Sequence, residues 1–202
     1  MITVIDYGMG NLGSVINMLK KIGVASKITT DLEEIKTATK LLLPGVGSFD
    51  KAMQRINDSG IKEILDYKVL KEETPVLGIC LGMQLLTNNS EEGIEKGLGY
   101  INASTKKFSF QEKKMKVPHM GWNLVEKSTS SLLTTNFEEE SRFYFVHSYY
   151  VEVENQENSI LKTEYGLEFD SAIQHKNVYG AQFHPEKSHK FGMRLFENFS
   201  KI

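Results

Sequence analysis

The sequence contains a single cysteine among its 202 residues, so it cannot form an internal disulfide bond. This composition is typical of a reducing compartment, and we expect the protein to be cytoplasmic. The five histidines are scattered and Cys80 has no second cysteine beside it, which argues against a metal cluster. We therefore expect an activity that needs no metal and no other cofactor.

The sequence also lacks a strong charge imbalance and a long apolar run. Its 24 basic and 26 acidic residues give a net charge of −2, so no basic field is present to attract nucleic acid or an anionic membrane. No apolar run approaches the roughly 18 residues that a membrane-spanning helix requires. Residues 1–6 lack the basic start of a signal peptide and are typical of a first strand. We expect neither a nucleic acid nor a membrane as a partner.

The first ninety residues alternate between strand and helix patterns. Apolar runs predict strands at residues 2–5, 26–29, 41–43 and 75–79. Apolar residues at helical spacing predict helices at residues 12–22, 32–37, 49–56 and 81–87. Alternation of this kind is typical of a parallel sheet with helices on both faces.

The second half of the chain has a different pattern. Short β-like runs occur at residues 116–118, 142–153, 168–174 and 178–183, separated by Gly and Asn, and a last helix is expected after His189. The length suits one domain. We therefore expect a single α/β domain over residues 1–202. Its open, mostly parallel sheet is flanked by helices, and an antiparallel β segment is added on one side.

A possible nucleophile occurs where the fourth predicted strand meets its helix. Residues 76–84 read Val-Leu-Gly-Ile-Cys-Leu-Gly-Met-Gln, which matches a nucleophile elbow with Cys80 in place of serine. Such a strained turn requires small neighbours, and the helix N-terminus that follows favours the thiolate. The backbone amide of Leu81 can then help to hold an oxyanion. An isolated free cysteine is more often a small buried hydrophobic residue, but the flanking glycines favour the nucleophile.

A cysteine nucleophile needs a base, and residues near the C-terminus can supply it. His184 and Glu186 are two positions apart at the end of a predicted strand, so both side chains point to the same face. Pro185 restricts the backbone between them. A carboxylate beside an imidazole fixes its tautomer and stabilises its charged form. The alternative is a surface His-Glu pair in a turn, which the cysteine turn makes the weaker interpretation.

A glycine loop follows the third predicted strand, at residues 43–48. Parallel strands place their carboxyl ends at one edge of a sheet, so Gly45, Val46 and Gly47 can lie beside Cys80. Their backbone amides, after a peptide flip that glycine permits, can complete an oxyanion hole. An ordinary strand-to-helix turn is the alternative interpretation.

A second glycine pattern points to a different class of protein. Residues 8–13 fit Gly-x-Gly-x-x-Gly after a strand, and Asp31 follows at a suitable distance, as in dinucleotide-binding oxidoreductases. This hypothesis leaves the Cys80 turn and His184-Pro185-Glu186 unexplained, and it leaves little chain for a substrate domain. We keep it as a remote alternative.

The Cys80 turn together with His184-Pro185-Glu186 resembles the class I, or triad, glutamine amidotransferases, whose fold is flavodoxin-like. Finer motifs resemble one branch of that family, the glutaminase subunits of imidazole glycerol phosphate synthase in histidine biosynthesis. These motifs lie at residues 6–11, 44–47, 82–84, 118–123, 147–149 and 184–188. The similarity extends from the first strand to the last helix.

The resemblance implies a Cys-His-Glu triad that hydrolyses glutamine. Cys80 would attack the side-chain amide, ammonia would leave, and water would hydrolyse the thioester. His184 would act as base and then as acid, oriented by Glu186. The peptide of Gly45-Val46-Gly47 would switch to form the oxyanion hole. The glutamine's α-amino and carboxylate groups would bind at five matching positions, namely Gln84, Glu92, His147, Ser148 and Tyr149.

The resemblance also implies a partner, a (β/α)₈-barrel cyclase subunit that forms a heterodimer with this chain and receives its ammonia. Six residues would face that cyclase, namely Tyr7, Gly8, Met9, Gly10, Asn11 and Trp122. Residues 187–193 also look like paralogues that supply ammonia for surface-polysaccharide sugars, so that acceptor is the alternative. A non-enzymatic regulator built on an inactive amidotransferase is a third possibility, but all three triad positions are filled.

Overall fold

The computed structural model describes residues 1–110 and 115–202. Its first half builds parallel strands in the order β2-β1-β3-β4. These strands are β1 (Ile2–Ile5), β2 (Ser26–Thr29), β3 (Leu41–Gly45) and β4 (Val76–Cys80). The helices between them are α1 (Leu12–Lys21), α2 (Leu32–Lys36), α3 (Phe49–Asp58) and α4 (Ile61–Leu70), and α5 (Leu81–Leu85) follows β4. Strands β1, β3 and β4 are buried on both faces, which explains their continuous apolar sequences.

Within the described residues, the second half contributes nine further strands, most of which extend the same sheet with antiparallel pairings. They are β5 (Asn89–Ser90), β6 (Ala103–Lys107), β7 (His119–Leu124), β8 (Glu126–Lys127), β9 (Arg142–His147), β10 (Tyr149–Val153), β11 (Ser159–Glu164), β12 (Glu168–His175) and β13 (Val178–Ala181). Strand β13 returns to pair parallel with β4, and β12, β10 and β6 continue the sheet from it. Strands β7 and β9 form a separate antiparallel pair, and α6 (His189–Lys201) ends the chain. The predicted fold class is thus confirmed.

The strand predictions were wrong in several details. The strand expected at residues 116–118 begins instead at His119 and runs to Leu124, because its alternating sequence contains Gly and Asn and shows no apolar run. The run expected at residues 142–153 divides at Ser148 into β9 and β10, which belong to different sheets. Strands β6 and β11 and helix α4 were not predicted. Helix α4 is separated from α3 by Gly60, whose φ of 75° ends the preceding helix.

Apolar side chains cover the sheet on both faces. One cluster packs α3, α4 and α5 against it through residues such as Phe49, Ile56 and Leu65. The other packs α1 and α6, with Phe143, Phe183, Phe196 and Phe199 at its centre. Among the described residues, no helix combines the length and apolarity needed to cross a membrane.

The strand register decides where functional side chains meet. Gly45 lies opposite Cys80 in the pairing of β3 with β4, and Ala181 lies opposite Ile79 in the pairing of β13 with β4. The carboxyl ends of these three parallel strands therefore lie side by side, at the edge where open α/β sheets bind ligands.

Candidate active site

Cys80 occupies a strained backbone position at the junction of β4 and α5. Its φ of 54° and ψ of −110° lie in a region that side-chain-bearing residues rarely adopt. The flanking glycines make the turn possible. A Cβ atom at Gly78 would overlap the backbone of Gly82, and one at Gly82 would overlap the carbonyl of Leu43. The turn thus requires the Gly-x-Cys-x-Gly pattern for steric reasons.

His184 and Glu186 are held together by the 3₁₀ turn that follows β13. His184 Nδ1 lies 2.7 Å from Glu186 Oε1, and both side chains are only 3% exposed. The turn is fastened to β9 because the His184 amide donates to the Tyr144 carbonyl at 2.9 Å. Ser188 Oγ donates to the His184 carbonyl at 2.6 Å and accepts from the Tyr144 amide at 3.0 Å. Hydrogen bonds therefore hold both the ring and the backbone of His184.

The environment of His184 favours its protonated form. Burial alone lowers the pKa of His184, but the neighbouring Cys80 and Glu186 outweigh burial and raise this pKa to about 10. Nδ1 is occupied by Glu186, and Nε2 is buried without a hydrogen-bond partner among the described residues. An imidazolium beside a cysteine can stabilise a thiolate and then give its Nε2 proton to a leaving group.

Gln182 contacts Cys80 and was not predicted from the sequence as a site residue. Its Nε2 lies 3.8 Å from Cys80 Sγ, and its Oε1 accepts a hydrogen bond from Gln84 Nε2 at 3.0 Å. Gln182 is two positions before His184, so the two-residue period of a strand was the signal that could have found it. Gln84 Nε2 also lies 3.3 Å from the Tyr149 carbonyl. These contacts connect Cys80 to Tyr149, the first residue of β10.

A pocket of about 330 Å³ opens above Cys80 and His184. It brings together most of the residues that were predicted from distant parts of the sequence. Its lining consists of Val46, Gly47, Cys80, Leu81, Gln84, Glu92, Pro118, Val146, His147, Ser148, Tyr149 and His184. Glu92 also caps the start of α3, because its Oε2 accepts a hydrogen bond from the Phe49 amide at 2.9 Å.

Gly45 is the one predicted oxyanion residue that does not line the pocket. It is buried, and a Cβ atom there would overlap the hydroxyl of Tyr7. Tyr7 was expected to face a partner, but its side chain is only 5% exposed and packs in the interior. That expectation needs correction, because the Tyr7 side chain belongs to the buried apolar cluster and its hydroxyl lies against Gly45. Burial and the charges of Cys80 and Asp6 raise the pKa of Tyr7.

The other predicted interface residues lie at or near the surface. Gly8 and Asn11 are exposed, and Met9 and Gly10 are half-buried. Trp122 is 44% exposed, and its ring stacks on His189 with the planes 4° apart and the centroids 5.5 Å apart. The loop at residues 8–11 leads into α1, and α1 packs against the 3₁₀ turn that precedes His189. The loop follows the carboxyl end of β1, and the His184 turn follows the carboxyl end of β13, which runs parallel to β1 in the same sheet. The loop and the start of α6, on which Trp122 stacks, therefore lie at the same edge of the sheet.

The comparison with known proteins agrees with this geometry. The class-I glutamine amidotransferase family model matches residues 3–202. A chain called imidazole glycerol phosphate synthase subunit HisH 2 from Methanococcus maripaludis is 60% identical over 201 residues, covering 100% of this chain and 99% of that one. A chain of the same name from Pseudomonas aeruginosa is 48% identical over 202 residues, covering all of both chains.

Solved structures support the fold alone, because their identity to this chain is low. PurLQS from Thermotoga maritima has a TM-score of 0.73 at 17% identity, covering 98% of this chain and 96% of that chain. A glutamine amidotransferase from Thermotoga maritima has a TM-score of 0.64 at 17% identity, covering 99% of this chain and 82% of that one. The family model spans nearly the whole chain, and the curated relatives share well over 30% identity with it. This chain therefore belongs to the class-I glutamine amidotransferase family.

Proposed function

We propose that this chain is the glutaminase subunit of imidazole glycerol phosphate synthase, and that it supplies ammonia to a cyclase subunit in histidine biosynthesis. The observation that carries the chemistry is His184 held by Glu186 at 2.7 Å, with its free Nε2 buried beside the strained Cys80. The full-length relatives at 60% and 48% identity, which bear that enzyme's name, support the pathway.

In the first half of the proposed reaction, the thiolate of Cys80 attacks the side-chain carbonyl carbon of glutamine. A tetrahedral intermediate forms, and its oxyanion is held by backbone amides of Leu81 and of the Val46–Gly47 loop, which line the same pocket. His184 gives its Nε2 proton to the departing nitrogen, so ammonia leaves and a γ-glutamyl thioester remains on Cys80.

In the second half, His184 is neutral and acts as a base. It takes a proton from water, the water oxygen attacks the thioester carbonyl, and the sulfur leaves as a thiolate. The products are glutamate and ammonia, and His184 is again protonated. Glu186 keeps Nδ1 protonated throughout, so that Nε2 alone exchanges protons with the reacting groups.

The pocket lining gives each end of glutamine a complementary partner. The Glu92 carboxylate suits the α-ammonium group, because it lines the pocket and only one of its two oxygens accepts a hydrogen bond from the Phe49 amide. Gln84 and residues 147–149 also line the pocket, and their amide and backbone groups suit the α-carboxylate. The two methylene groups of the substrate's side chain then connect its α-carbon to the amide carbon that Cys80 attacks, so that a longer or shorter homologue would misplace its amide.

An exposed apolar row marks the proposed cyclase interface. Met120, Trp122 and Leu124 are 61%, 44% and 51% exposed on one face of β7, and the loop at residues 8–11 lies at the same end. Exposed apolar patches of this kind are typical of protein–protein contacts. The single cysteine keeps the cytoplasm as the proposed compartment.

The test is glutamate release by this chain alone, with a purified imidazole glycerol phosphate cyclase, and with that cyclase plus its ribonucleotide ligand. We expect weak activity alone and strong stimulation by the loaded cyclase, since the oxyanion loop can be shifted to its active form by partner binding. High activity without any partner would contradict that coupling. No stimulation, with Cys80 still alkylated by a glutamine-analogue affinity label, would support the surface-polysaccharide acceptor that residues 187–193 suggest.

The interface can be tested separately by cyclase affinity. Trp122→Ala removes the largest exposed side chain of the row, and we expect the dissociation constant to rise at least tenfold, as for central aromatic residues in other interfaces. Leu132→Ala is the matched control, because Leu132 is 66% exposed on a different surface segment. Equal affinity for both variants would rule out the β7 face as the contact.

A further inference from the structure

Strand β7 presents different residues on its two faces. Met120, Trp122 and Leu124 alternate outward and are exposed, whereas His119 is buried and Asn123 is half-buried on the inner face. His119 pairs in register with His147, the last residue of β9. The inner face of β7 therefore lies directly against a residue that lines the pocket.

Four groups on this inner face form a hydrogen-bonded series. Asn123 Nδ2 lies 3.3 Å from His119 Nε2, and His119 Nδ1 lies 2.9 Å from His147 Nε2. His147 Nδ1 lies 2.6 Å from the carbonyl oxygen of Tyr149. All of the distances are within hydrogen-bonding range, and both rings are buried.

The direction of each hydrogen bond follows from the carbonyl oxygen at the end of the series. A carbonyl oxygen only accepts, so Nδ1 of His147 carries a proton. Burial is the largest cause; it outweighs the bond to Tyr149 and, together with the charge of His184, lowers the pKa of His147 to about 3. Its ring is thus neutral, and its Nε2 accepts. Burial lowers the pKa of His119 to about 4, so its neutral ring donates through Nδ1 and accepts from Asn123 through Nε2.

The series ends at the carbonyl oxygen of Tyr149, which is also connected to Cys80 through two glutamine side chains. The Tyr149 oxygen is within reach of both His147 Nδ1 and Gln84 Nε2, and Gln84 is bonded to Gln182, which contacts Cys80. Aromatic rings hold His119 in place, with Phe145 at 4.7 Å and Tyr165 at 4.0 Å between centroids. His119 thus has one orientation, and its proton points at His147.

We propose that His119 is a positioning residue for glutamine binding: its Nδ1 proton satisfies His147 Nε2 and thereby fixes the pocket wall at residues 147–149. This inference rests on the proposed glutaminase function, because it takes that wall to be where the substrate's carboxylate binds. Without the donor, the buried Nε2 of His147 has no partner among the described residues. An unpaired buried polar atom of this kind is unfavourable, and a rotation of the ring with a shift of the Tyr149 carbonyl would relieve that cost.

Two substitutions separate the hydrogen bond from the general packing. In His119→Asn, the side-chain amide nitrogen takes the place of Nδ1 and can still donate to His147. In His119→Gln, the amide group reaches the place of Nε2 instead, so the donor to His147 is lost. Asn123 keeps a partner in both variants, because its Nδ2 also donates to the Glu164 carbonyl at 2.9 Å.

The experiment measures glutamine turnover of the cyclase complex for both variants. We expect His119→Gln to raise KM for glutamine about tenfold with a smaller change in kcat, and His119→Asn to stay within about threefold of the wild-type KM. Equal losses in the two variants, or a loss confined to kcat, would overturn the proposal, because neither pattern depends on the donor to His147.

Nitrogen-15 NMR of the imidazole rings gives a readout that does not require turnover. We expect His147 to be protonated at Nδ1 alone in the wild type and in His119→Asn. In His119→Gln, its Nε2 resonance should move towards the value of a nitrogen that accepts no hydrogen bond. A wild-type His147 protonated at Nε2 would overturn the inference. If the wild-type complex does not hydrolyse glutamine, the proposed function fails, and the spectra still decide whether His119 donates to His147.

Discussion

His184 and Glu186 are two positions apart in the sequence, and the 2.7 Å between Nδ1 and Oε1 is closed within a single turn that is buried at both side chains. The contact between the two side chains is therefore formed within this short segment. What it does need from elsewhere is the anchoring of that turn to β9 through Tyr144 and Ser188. Four predictions follow from this relationship and from the residues around it.

Glu186→Gln should lower the pKa of His184 from about 10, because Glu186 is one of the two neighbours that raise it. The folded-state pKa lies above the ordinary value of 6.5, so the stability that protonated His184 contributes is fully present below about pH 6.5 and is lost as the pH rises through about 10. The difference in free energy of unfolding between wild type and variant should therefore shrink towards pH 10. Urea denaturation across this range measures it.

The matched control for this prediction is Glu197→Gln, because Glu197 pairs with Arg194 on the exposed face of α6. Its effect on stability should be small and nearly constant from pH 6.5 to 10. We also expect Glu186→Gln to lower kcat about a hundredfold or more, since an amide does not stabilise the imidazolium. A pH-independent stability difference for Glu186→Gln would contradict the assignment of His184 as the raised group.

Cys80→Ala and Cys80→Gly should both abolish glutamine hydrolysis but differ in stability. Alanine keeps a Cβ at φ 54° and ψ −110°, whereas glycine adopts this conformation freely. Strain at such positions is of order 1–3 kcal/mol, and the extra freedom of glycine in the unfolded chain offsets about 0.4–1 kcal/mol of that. We expect Cys80→Gly to be the more stable by about 1 kcal/mol in urea denaturation. Retained turnover in either variant would exclude Cys80 as the nucleophile.

Gly45→Ala should destabilise the protein by about 1–3 kcal/mol, because its new methyl group would overlap the Tyr7 hydroxyl. Tyr7→Phe removes that hydroxyl, which has no hydrogen-bond partner among the described residues, and should be nearly neutral by itself. The double variant should recover part of the lost stability. Recovery should be incomplete, since the methyl would still lie 3.1 Å from Leu81 Cβ and 3.2 Å from the Gly82 amide. Purely additive effects in this double-mutant cycle would show that the two residues do not touch.

Glu92→Gln should separate the two tasks of this side chain. A carboxamide oxygen can still accept from the Phe49 amide, so the start of α3 should keep its hydrogen bond and the melting temperature should change little. The negative charge is lost, and we expect KM for glutamine to rise about tenfold or more. Glu92→Ala is the comparison, because it removes both functions and should also destabilise the fold by about 1 kcal/mol. An unchanged KM in Glu92→Gln would remove Glu92 from the ammonium site.

Sequence patterns predict the parts of the site that are local. The Cys80 turn needs two glycines within five residues, and the His184–Glu186 pair lies within one turn, so both are visible in a short stretch of sequence. Gln182 and Tyr7 are not, because their roles depend on chain segments brought together by the sheet. Gln182 contacts a sulfur atom 102 positions away, and Tyr7 reaches Gly45 only because β1 and β3 are neighbours.

The same distinction applies to the fold. Buried parallel strands such as β3 carry continuous apolar sequences and were predicted, whereas β7 carries alternating Met, Gly, Trp and Asn and was placed three residues too early. Its strand character comes from pairing with β9, since each inner residue of β7 meets a buried partner there. Propensity within the segment is weak, and the tertiary partner decides the outcome.

The two faces of β7 restrict how this region can change in length. His119 is an odd-numbered position and Trp122 an even-numbered one, and successive side chains in a strand point to opposite sides. Inserting or deleting one residue between them would bring both side chains to the same face, so either the histidine would leave His147 or the tryptophan would leave the surface. Only changes of two residues would preserve parity, and the pairing register with β9 would still shift. The number of residues between His119 and Trp122 therefore constrains both the contact with His147 and the exposed apolar face.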